Sequence, residues 1–547
     1  MRRHWEYWLG AVIALLALCC AVPEHRFAAG VDNAIGFDDG YTIALGERLI
    51  DGHWLPYVDG LSHRGPLLYW ATAASLVLTE RLSWVGPRWL VIGAFFLAAA
   101  GCFAAGAAAR RPVAGAIGTA FYVFAICGAF PAQGALALTG EKISAPFCAA
   151  SLTLTSLALQ RIRSPRARVV NLALAGLCAA LAGLAKQTAL LLFLPAAIWA
   201  LAAALSRSEV TSRQRWLEAC ALPAGWAATL GMALLPYAWS GNLHAFYYWF
   251  VEYNAKIYME PYRGVVIRDE IAKWWGADAW TCFAAILLTL VPLSRSLGAL
   301  VGSPRDAARR LTSIGFEFAT ASSALLGLLS AIVAFRIWPH YFIAILTYFA
   351  LLIGIYVDDA LRAPKQLQRL TAVLVTALLL LVMIRAVTLN RYRFMVKERK
   401  EGGWSAAAPE PICNFVERHS RRDQKIFIWG FDADLYLTCK RGPATSFAYL
   451  SLVAGIVPPF WDQRRSERVV PGAPARLESE LRHALPPIIL DAPQRLGGIS
   501  MRAVPEANAV LKELYCPGPV LSGGGGRQVT AYLLRDRAGC AQPSAQH

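Results

Sequence analysis

The stretch Gly36–Trp70, GFDDGYTIALGERLIDGHWLPYVDGLSHRGPLLYW, decides how the rest of the chain is interpreted. It joins the first long apolar segment to a second apolar stretch at 66–83. Two adjacent carboxylates, Asp38 and Asp39, come first, and a cluster with a basic end, Ser62–Arg64, comes last. The residues after the carboxylates have the pattern of an amphipathic helix, which places the pair at a helix N-terminus. There the side chains either cap the helix, whose dipole favours negative charge, or take part in acid–base chemistry.

The composition indicates a membrane protein with a smaller soluble part. Of the 547 residues, 56% are hydrophobic and only 16% are charged, whereas a soluble protein of this length needs more polar surface. The formal net charge of +17 is compatible with nucleic-acid binding, but the basic residues lie mostly in short loops between apolar runs. That placement orients helices in a membrane, so we expect contact with membrane lipids and no nucleic-acid partner.

Several apolar runs are long enough to cross a hydrocarbon layer of ~30 Å as helices. They lie at 8–23, 88–108, 113–130, 143–160, 169–185, 188–205, 217–239, 276–293, 313–335, 341–357 and 370–388. The basic loops between them share the cytoplasmic side with the N-terminus only if the stretch 66–83 does not cross. We therefore predict a juxtamembrane or re-entrant helix at 66–83 on the outer face, with everything after residue 389 outside.

The tail after residue 389 is polar, rich in proline and broken into short elements. The patterns predict strands at 425–431, 486–492 and 528–535, and helices at 410–420, 475–485 and 505–515. The predicted fold is mainly α: a polytopic helical bundle of about 11 spans with outer juxtamembrane helices, followed by a small C-terminal α/β extracytoplasmic domain. The membrane module is assigned to 1–390, with its first outer loop at 24–87, and the C-terminal domain to 391–547.

The cysteines divide along the same boundary. Eight of the twelve fall in apolar spans, where a thiol packs as a small hydrophobic group. The other four, Cys413, Cys439, Cys516 and Cys540, lie in the tail. An oxidising compartment permits disulfides there, but four cysteines allow three pairings and the sequence does not choose among them.

Five short motifs resemble those of the GT-C superfamily of integral membrane glycosyltransferases, which includes the protein O-mannosyltransferases and the lipid A aminoarabinose transferases. The acidic pair and its helix are followed by Tyr-x-Asp-Gly-x-x-His-Arg-Gly-Pro-Leu-Leu-Tyr-Trp at 57–70. The later motifs are GPRWLV (86–91), LTGEKISAPF (138–147), GLAKQTALLLF (183–193) and FRIWPHYF (335–342). The resemblance covers roughly residues 1–390, and in that family the counterpart of 66–83 is a helix of the first outer loop.

The resemblance implies transfer of a sugar from a polyprenyl-phosphate donor to a lipid, glycan or protein acceptor, on the outer face of the cytoplasmic membrane. Asp38 matches the catalytic carboxylate, while Asp39 occupies a position where the family usually carries Glu. Arg64 matches the basic residue that holds the lipid phosphate, an anion suited to a guanidinium fork. Gly65–Pro66 stands where the family often has two prolines. No cofactor is identified, and the use of a divalent cation is left open.

Five further residues are candidates for substrate binding. Glu141 matches a second acidic position of the family, or is simply a negative charge at a helix N-terminus. Lys186 either meets a lipid phosphate or is the polar tip of a hairpin that reaches the interface. Arg336, His340 and Tyr341 lie in one short outer turn and either contact the donor or anchor the chain at the interface.

Two other features of the outer loops are interpreted as ordinary surface. Asp32, Asp51 and Asp59 belong to an acidic loop that we expect to be solvated. The segment 240–262 is dense in aromatic residues, which is typical of the interfacial belt. Because sugars also stack on such rings, acceptor binding is a second interpretation of this segment.

Two functions from other classes are compatible with a chain of this kind. A secondary transporter also has many helices and scattered charge, but here the charges gather at outer helix ends and no inverted repeat is evident. A non-catalytic membrane scaffold in envelope polysaccharide assembly would need neither Asp38 nor Arg64. The sequence determines neither the sugar, the acceptor nor the oligomeric state.

Overall fold

The computed structural model describes residues 6–8, 10–12, 14–15, 37–129, 137–207, 209–259, 304–333, 339–362, 366, 370, 373–374, 411–457, 464–523 and 527–538. Most of the predicted span 8–23, all of 276–293 and almost all of 370–388 lie outside these residues. The same holds for Arg336 and Cys540.

From residue 37 onward the helices and strands follow one another in this order. The helices are α1 Phe37–Asp51, α2 Pro66–Leu78, α3 Val85–Ala108, α4 Pro112–Ala129, α5 Gly140–Gln160, α6 Pro165–Ala185, α7 Leu194–Ser206, α8 Ser212–Trp239, α9 Leu243–Tyr247, α10 Pro304–Ser313, α11 Gly315–Val333, α12 Ile343–Leu361, α13 Pro411–His419, α14 Asp434–Thr438, α15 Ser451–Ala454, α16 Ala473–Ala484, α17 Pro505–Leu514 and α18 Arg535–Ala538. The strands are β1 Phe427–Gly430, β2 Ile488–Ala492, β3 Tyr515–Ser522 and β4 Gln528–Leu534.

The described residues include six helices that are long and apolar enough to cross a membrane. They are α3, α5, α6, the segment Gln187–Ser206 that ends in α7, α8 and α12. A seventh is present if α10 and α11, which are bent by 82° at a short break, form one broken span. The chain is therefore a multi-pass membrane protein. The count of about 11 is not confirmed, since three predicted runs lie mostly outside the described residues and the apolar part of α4, Pro112–Ile126, is shorter.

Helix α2 occupies the ambiguous apolar stretch 66–83. It has 13 residues and begins at Pro66, a position where proline is tolerated because the first helical N–H has no partner in the helix. At a rise of 1.5 Å per residue, a helix of this length spans about 20 Å, less than the ~30 Å hydrocarbon core.

The described structure divides into two compact units. One, called here the helical unit, comprises Met1–Gly30, Val91–Pro236 and Tyr262–Glu401. The other, the sheet unit, comprises Val31–Leu90, Tyr237–Pro261 and Gly402–His547. The 37–90 segment thus belongs to the same compact unit as the sheet.

Small residues allow the helices of the helical unit to approach closely. A methyl group added at Gly354 of α12 would lie 2.0 Å from the carbonyl oxygen of Ala114 in α4. One added at Gly176 of α6 would lie equally close, 2.0 Å, to the carbonyl oxygen of Leu222 in α8. Helix pairs in membranes commonly pack through such small residues, because the lipid supplies no hydrophobic driving force and van der Waals contact must replace it.

The sheet unit contains a four-stranded sheet in the order β1-β2-β4-β3. Strand β1 pairs with β2 in parallel, with Phe427 opposite Ile489, while β2–β4 and β4–β3 are antiparallel. The three predicted strands are present with somewhat shorter bounds, and the three predicted helices of the tail correspond to α13, α16 and α17. The small sheet expected in the tail is confirmed, with helices between its strands along the chain.

Strand β3 was not predicted from the sequence. It contains Pro517 and Pro519, and proline cannot donate a hydrogen bond to a neighbouring strand. The strand lies at the edge of the sheet and its register shifts between Pro517 and Val520. Edge strands and irregularities in register are the two places where a sheet tolerates proline.

One disulfide pairing is resolved by the structure. Cys413 of α13 is bonded to Cys439, the residue that caps the C-terminus of α14, across 26 positions of sequence. Cys516 is also disulfide-bonded. The cross-link between α13 and α14 restricts the unfolded chain and so favours the folded one.

The loop after α1 contacts the C-terminal elements through backbone groups. The Leu61 N–H donates to the carbonyl of Ser446, 3.0 Å away. From α16, the Arg476 Nη2 donates to the carbonyl of Val58 at 2.8 Å. These bonds satisfy loop carbonyls and amides that would otherwise need water, and they join the 52–65 loop to the sheet domain.

Candidate active site

Helix α1 carries the acidic pair in its first turn. It begins at Phe37, so Asp38 and Asp39 are its second and third residues, in agreement with the predicted helix start. The Asp39 side chain is only 5% exposed, and the N-terminal end of the helix dipole stabilises negative charge there. A methyl group added at the next residue, Gly40, would lie 2.6 Å from the backbone nitrogen of Asp434. Another segment of the sheet unit therefore covers the start of α1 closely.

The acidic residues farther along α1 are paired with basic residues. Glu47 is buried and accepts a hydrogen bond of 2.7 Å from the Arg81 Nε. Arg81 also pairs with Asp51, and the Lys425 Nζ lies 2.7 Å from the Asp51 Oδ2. Burial would raise the pKa of Asp51, but the hydrogen bonds from Lys425 and Arg81 lower it below its usual value. Asp51 is exposed, as expected for a residue of an acidic surface, and it is paired with basic residues from two other segments.

Arg64 lies beside the first turns of α1. Its guanidinium carbon is 4.8 Å from the centroid of the Tyr41 ring, and Tyr41 follows Asp39 by two residues on α1. A cation is attracted to the face of a tyrosine ring because the ring quadrupole is negative there. The Tyr57 hydroxyl donates a 2.6 Å hydrogen bond to the Arg64 carbonyl. The structure thus brings the predicted phosphate-binding residue and the acidic helix start together.

The turn that presents Arg64 is organised by two buried side chains. Tyr57 has a positive φ of 72°, a conformation that is uncommon outside glycine and often marks functional segments. Burial raises the pKa of Tyr57 well above its usual value, so its hydroxyl stays protonated and keeps donating. The Asp59 Oδ2 accepts 2.8 Å bonds from the backbone N–H groups of His53 and Leu55. Asp59 was expected to be solvated, but its carboxylate instead closes the turn.

His63 is surrounded by three tyrosine rings from two segments. Its ring centroid lies 3.9 Å from that of Tyr258, 5.8 Å from that of Tyr253 and 5.4 Å from that of Tyr449. The Asn254 side chain donates a 2.8 Å bond to the His63 carbonyl. Tyr253, Asn254 and Tyr258 come from the aromatic segment 240–262, whose backbone is π-helical at Tyr248–Glu252 and Asn254–Tyr258. π-Helical turns are rare and frequently lie at functional sites.

A second group of predicted residues converges in the helical unit. Glu141 lies in the first turn of α5, Lys186 caps the C-terminus of α6, and Tyr341 belongs to the 3₁₀ turn Pro339–Phe342 that precedes α12. The Lys186 Nζ is 2.7 Å from the Glu141 Oε1 and 4.1 Å from the centroid of the Tyr341 ring. The Glu141 side chain is only 3% exposed. Three residues that are distant in sequence thus come together: Glu141 and Lys186 form a buried ion pair, and the ring of Tyr341 faces the lysine.

The remaining candidates are less fully described. His340 lies in the same 3₁₀ turn as Tyr341, and Arg336 lies outside the described residues. Among the side chains that the structure describes, no group of three or more His, Cys, Asp or Glu is arranged to hold a metal ion.

Sequence reasoning missed two contributors to the aromatic surroundings of Arg64 and His63. Tyr449 comes from the C-terminal domain and lies 5.3 Å, between ring centroids, from Tyr41. Nothing in the local sequence of Tyr449 indicates this position. Tyr41 could have been singled out, because it lies one helical turn from the acidic pair and on the same helix.

No protein-family model and no curated protein sequence matches the chain. Among solved structures, it is similar to ArnT from Cupriavidus metallidurans bound to undecaprenyl phosphate, with 14% identity, a TM-score of 0.48, and coverage of 94% of this chain and 97% of that one. It is also similar to the apo form of the Archaeoglobus fulgidus oligosaccharyltransferase, with 12% identity, a TM-score of 0.49, and coverage of 99% and 75%.

Proposed function

We propose that this chain is a glycosyltransferase that moves a sugar from a polyprenyl-phosphate donor to a lipid, glycan or protein acceptor at the outer face of the cytoplasmic membrane. The observation that carries the proposal is the start of α1, where Asp38 and Asp39 lie within three residues of Tyr41, the ring that Arg64 faces at 4.8 Å. A carboxylate base and a phosphate-binding cation are the two groups that such a transfer requires.

The reaction follows from these two groups. The carboxylate of Asp38, with Asp39 beside it, takes the proton of an acceptor hydroxyl, and the hydroxyl oxygen forms a bond to the anomeric carbon. The bond between that carbon and the phosphate oxygen breaks at the same time, so the polyprenyl phosphate leaves with the electron pair. The negative carboxylates also stabilise the positive charge that develops at the sugar.

Arg64 suits the leaving phosphate because of its shape as well as its charge. A guanidinium offers parallel N–H donors that match two oxygens of a phosphate. The contact with Tyr41 orients the planar group beside the start of α1. The bond from Tyr57 fixes the backbone beneath it, which reduces the entropy lost when the phosphate binds.

The Glu141–Lys186–Tyr341 group supports a second contact with the donor. A lysine ammonium beside a tyrosine face suits a lipid phosphate, and the 2.7 Å ion pair with Glu141 holds the ammonium in position. His340, in the same turn as Tyr341, and Arg336, close to it in sequence, belong to the same proposal as further donor contacts. Whether a divalent cation assists is decided by assay with and without a chelator.

The proposal includes the topology predicted from charge. Eleven spans place the first outer loop, 24–87, and the domain 391–547 on the extracytoplasmic side of the cytoplasmic membrane. The observation that supports it is the set of bonds between the 52–65 loop and the C-terminal elements, for example Leu61 to Ser446. Segments that bond to each other must lie on the same side of the membrane.

The decisive experiment is sugar transfer by the purified protein in nanodiscs. The donor is identified first, as the lipid-linked sugar that accumulates in a deletion strain, by mass spectrometry. Asp38→Asn keeps the size and the helix-capping ability of the side chain but removes the basic lone pair, so we expect a rate loss of ~10²–10⁴-fold. The control is Asp423→Asn, which removes an exposed carboxylate paired with Arg421 and should leave the rate unchanged.

Two results would contradict the proposal. Transfer at the native rate by both Asp38→Asn and Asp39→Asn would reduce the acidic pair to a helix cap. No accumulation of any lipid-linked sugar in the deletion strain would favour a scaffold or a transporter. If only Asp39→Asn is inactive, the transferase function stands, and Asp39 instead of Asp38 is the residue that takes the acceptor proton.

A further inference from the structure

Two residues of α16 hold the loop that leads to Arg64. The Glu480 carboxylate accepts a 2.6 Å hydrogen bond from the Ser446 N–H and a 2.7 Å bond from the Ser446 hydroxyl. One helical turn earlier, Arg476 donates from its Nε to the Glu480 Oε1 at 2.7 Å and from its Nη2 to the carbonyl of Val58 at 2.8 Å. Glu480 thus joins Ser446 to the arginine that bonds to this loop.

Ser446 is bonded to the same loop through its backbone. Its carbonyl accepts the 3.0 Å bond from the Leu61 N–H, and Leu61 precedes Arg64 by three residues. Ser446 is only 1% exposed, and because buried donors need an acceptor, its N–H and its hydroxyl rely on Glu480. The carboxylate therefore fixes the residue to which the loop is bonded.

Tyr449, three residues after Ser446, contacts the surroundings of the Arg64 guanidinium. Its ring centroid lies 5.3 Å from that of Tyr41 and 5.4 Å from that of His63. Tyr41 carries the ring that the guanidinium faces, and His63 precedes Arg64 in the sequence. Aromatic pairs at such distances stabilise a definite arrangement of the rings. The segment that begins at Ser446 thus contacts both the loop backbone and the ring beside Arg64.

We propose that Glu480 is a positioning residue for donor binding: by holding the segment Ser446–Tyr449, it fixes the loop backbone and the aromatic ring that orient Arg64 for the phosphate. This inference rests on the proposed phosphate-binding role of Arg64. It gives the C-terminal domain a part in donor recognition.

The physical basis of this role is preorganisation. A phosphate binds only to those molecules in which the guanidinium is correctly placed, so the apparent dissociation constant rises as that fraction of molecules falls. Holding the loop and the ring before binding also reduces the entropy that is lost on binding. A carboxylate suits this task because hydrogen bonds to an ionised acceptor are about twice as strong as those between neutral groups, and Glu480 accepts three of them.

The test measures the affinity of the purified protein in nanodiscs for undecaprenyl phosphate, and it compares Glu480→Gln with the matched variant Glu478→Gln. Both glutamates lie on α16, their side chains are 24% and 28% exposed, and each pairs with an arginine four positions away. Within the described residues, Glu478 makes no hydrogen bond to Ser446 or to the 52–65 loop. The two variants therefore remove the same charge from the same helix, and only one of them disturbs the contact with the loop.

For Glu480→Gln we expect binding to weaken by about 10-fold, the size typical of losing one charge-assisted hydrogen bond. The amide replaces one acceptor by a donor, so it cannot accept from both groups of Ser446 and from Arg476. Glu478→Gln should bind like the native protein. Ser446→Ala removes the hydroxyl but keeps the carbonyl that accepts from Leu61, so it should weaken binding less, by about 2- to 5-fold.

A second measurement separates positioning from a general loss of structure. Arg64→Gln removes the guanidinium and should itself weaken binding by about one to two decades. In that background, Glu480→Gln should weaken binding little further, because it acts through Arg64, whereas the effects of independent residues add. The dissociation constant describes the folded molecules alone, so partial unfolding lowers the number of binding sites and leaves the constant unchanged. Ser446→Ala gives the same comparison if Glu480→Gln folds poorly.

The outcomes distinguish a failed positioning role from a failed function. Native affinity in Glu480→Gln, an equal loss in Glu478→Gln, or full additivity with Arg64→Gln would overturn the positioning role while the proposed transferase function stands. If Arg64→Gln binds undecaprenyl phosphate like the native protein, the phosphate contact of the proposed function falls, and the positioning role falls with it.

Discussion

Arg64 in the sheet unit and Lys186 in the helical unit each face a tyrosine ring, but their surroundings differ. Arg64 lies 4.8 Å from the ring of Tyr41 on a turn held by Tyr57. Lys186 lies 4.1 Å from the ring of Tyr341 and also makes a 2.7 Å ion pair with a carboxylate that is almost fully buried. Lys186 thus takes part in a buried ion pair, whereas Arg64 lies at the face of a ring, on a turn whose backbone is held by a tyrosine hydroxyl.

The difference teaches how a role in folding can be separated from a role in binding. Removing one partner of a buried ion pair leaves an uncompensated charge and destabilises the protein, even if the pair has no part in catalysis. Removing a cation that rests on an aromatic face costs much less stability. Loss of activity alone is therefore weaker evidence for a binding role at Lys186 than at Arg64. Stability and activity have to be measured separately for each residue.

The largest effect is expected for Lys186→Met. It leaves Glu141 buried without its partner, so the free energy of unfolding should fall by ~3–5 kcal/mol. The double variant Lys186→Met/Glu141→Gln removes both charges and should regain most of this stability. Thermal unfolding in nanodiscs measures both effects. If Lys186 contacts the donor phosphate, the double variant should be stable yet nearly inactive.

A second buried ion pair of the helical unit provides a control for the Lys186 variants. Arg168 and Glu218 form a buried pair at 3.2 Å, and Glu218 also pairs with Arg207 at 2.6 Å. Arg168→Met leaves Glu218 paired with Arg207, so it should destabilise the protein less than Lys186→Met does and should leave transfer unchanged. Full activity of Lys186→Met/Glu141→Gln would show that Lys186 acts only in the fold.

An intermediate effect is expected for Arg64→Lys. The charge and the position over Tyr41 are kept but the bidentate fork is lost. A charge-assisted hydrogen bond is worth ~1.5–3 kcal/mol, so the specificity constant kcat/KM for the donor should fall by about one to two decades. Stability should change little. The matched variant is Arg502→Lys, whose guanidinium lies 5.5 Å from the ring of Tyr532; unchanged transfer by both variants would leave Arg64 as an ordinary surface cation.

The smallest effect is expected for Asp51, whose charge is covered by Arg81 and Lys425. Its pKa in the folded state lies below the usual value of 3.8, so the carboxylate stabilises the fold above pH 3.8 and loses this effect as the pH falls through the lowered pKa. Asp51→Asn should cost about 0.5–1 kcal/mol at pH 6, the size typical of a partly exposed pair. Melting curves from pH 6 to pH 3 should converge with those of the native protein; a constant difference would contradict the assignment.

Much of the fold could be predicted because long apolar runs specify helices without reference to other segments. Helices α3, α5, α6, α8 and α12 overlap the predicted runs, since a helix satisfies its own backbone in an apolar medium. The start of α1 was predicted from its amphipathic pattern, and Glu141, Lys186 and Tyr341 were singled out as charged or aromatic residues at helix ends.

The parts that could not be predicted depend on contacts between distant segments. Strand β3 is tolerated despite its prolines only because it is an edge strand. Asp59 is a polar residue in a loop region and was expected at the surface. It is buried because two backbone N–H groups donate to its carboxylate, and partners of this kind have no signature in the local sequence.

The sequence by itself determined that this is a multi-pass membrane protein, that its tail forms a small α/β domain, and which charged residues stand at helix ends. These properties follow from hydropathy, periodicity and capping, which act over one or a few helical turns. Only the tertiary structure decided that Cys413 pairs with Cys439, that Glu141 meets Lys186, and that Asp434 lies against Gly40. The physical reason is that such contacts are chosen by the packing of the whole chain, where burial requires every charge to find a partner.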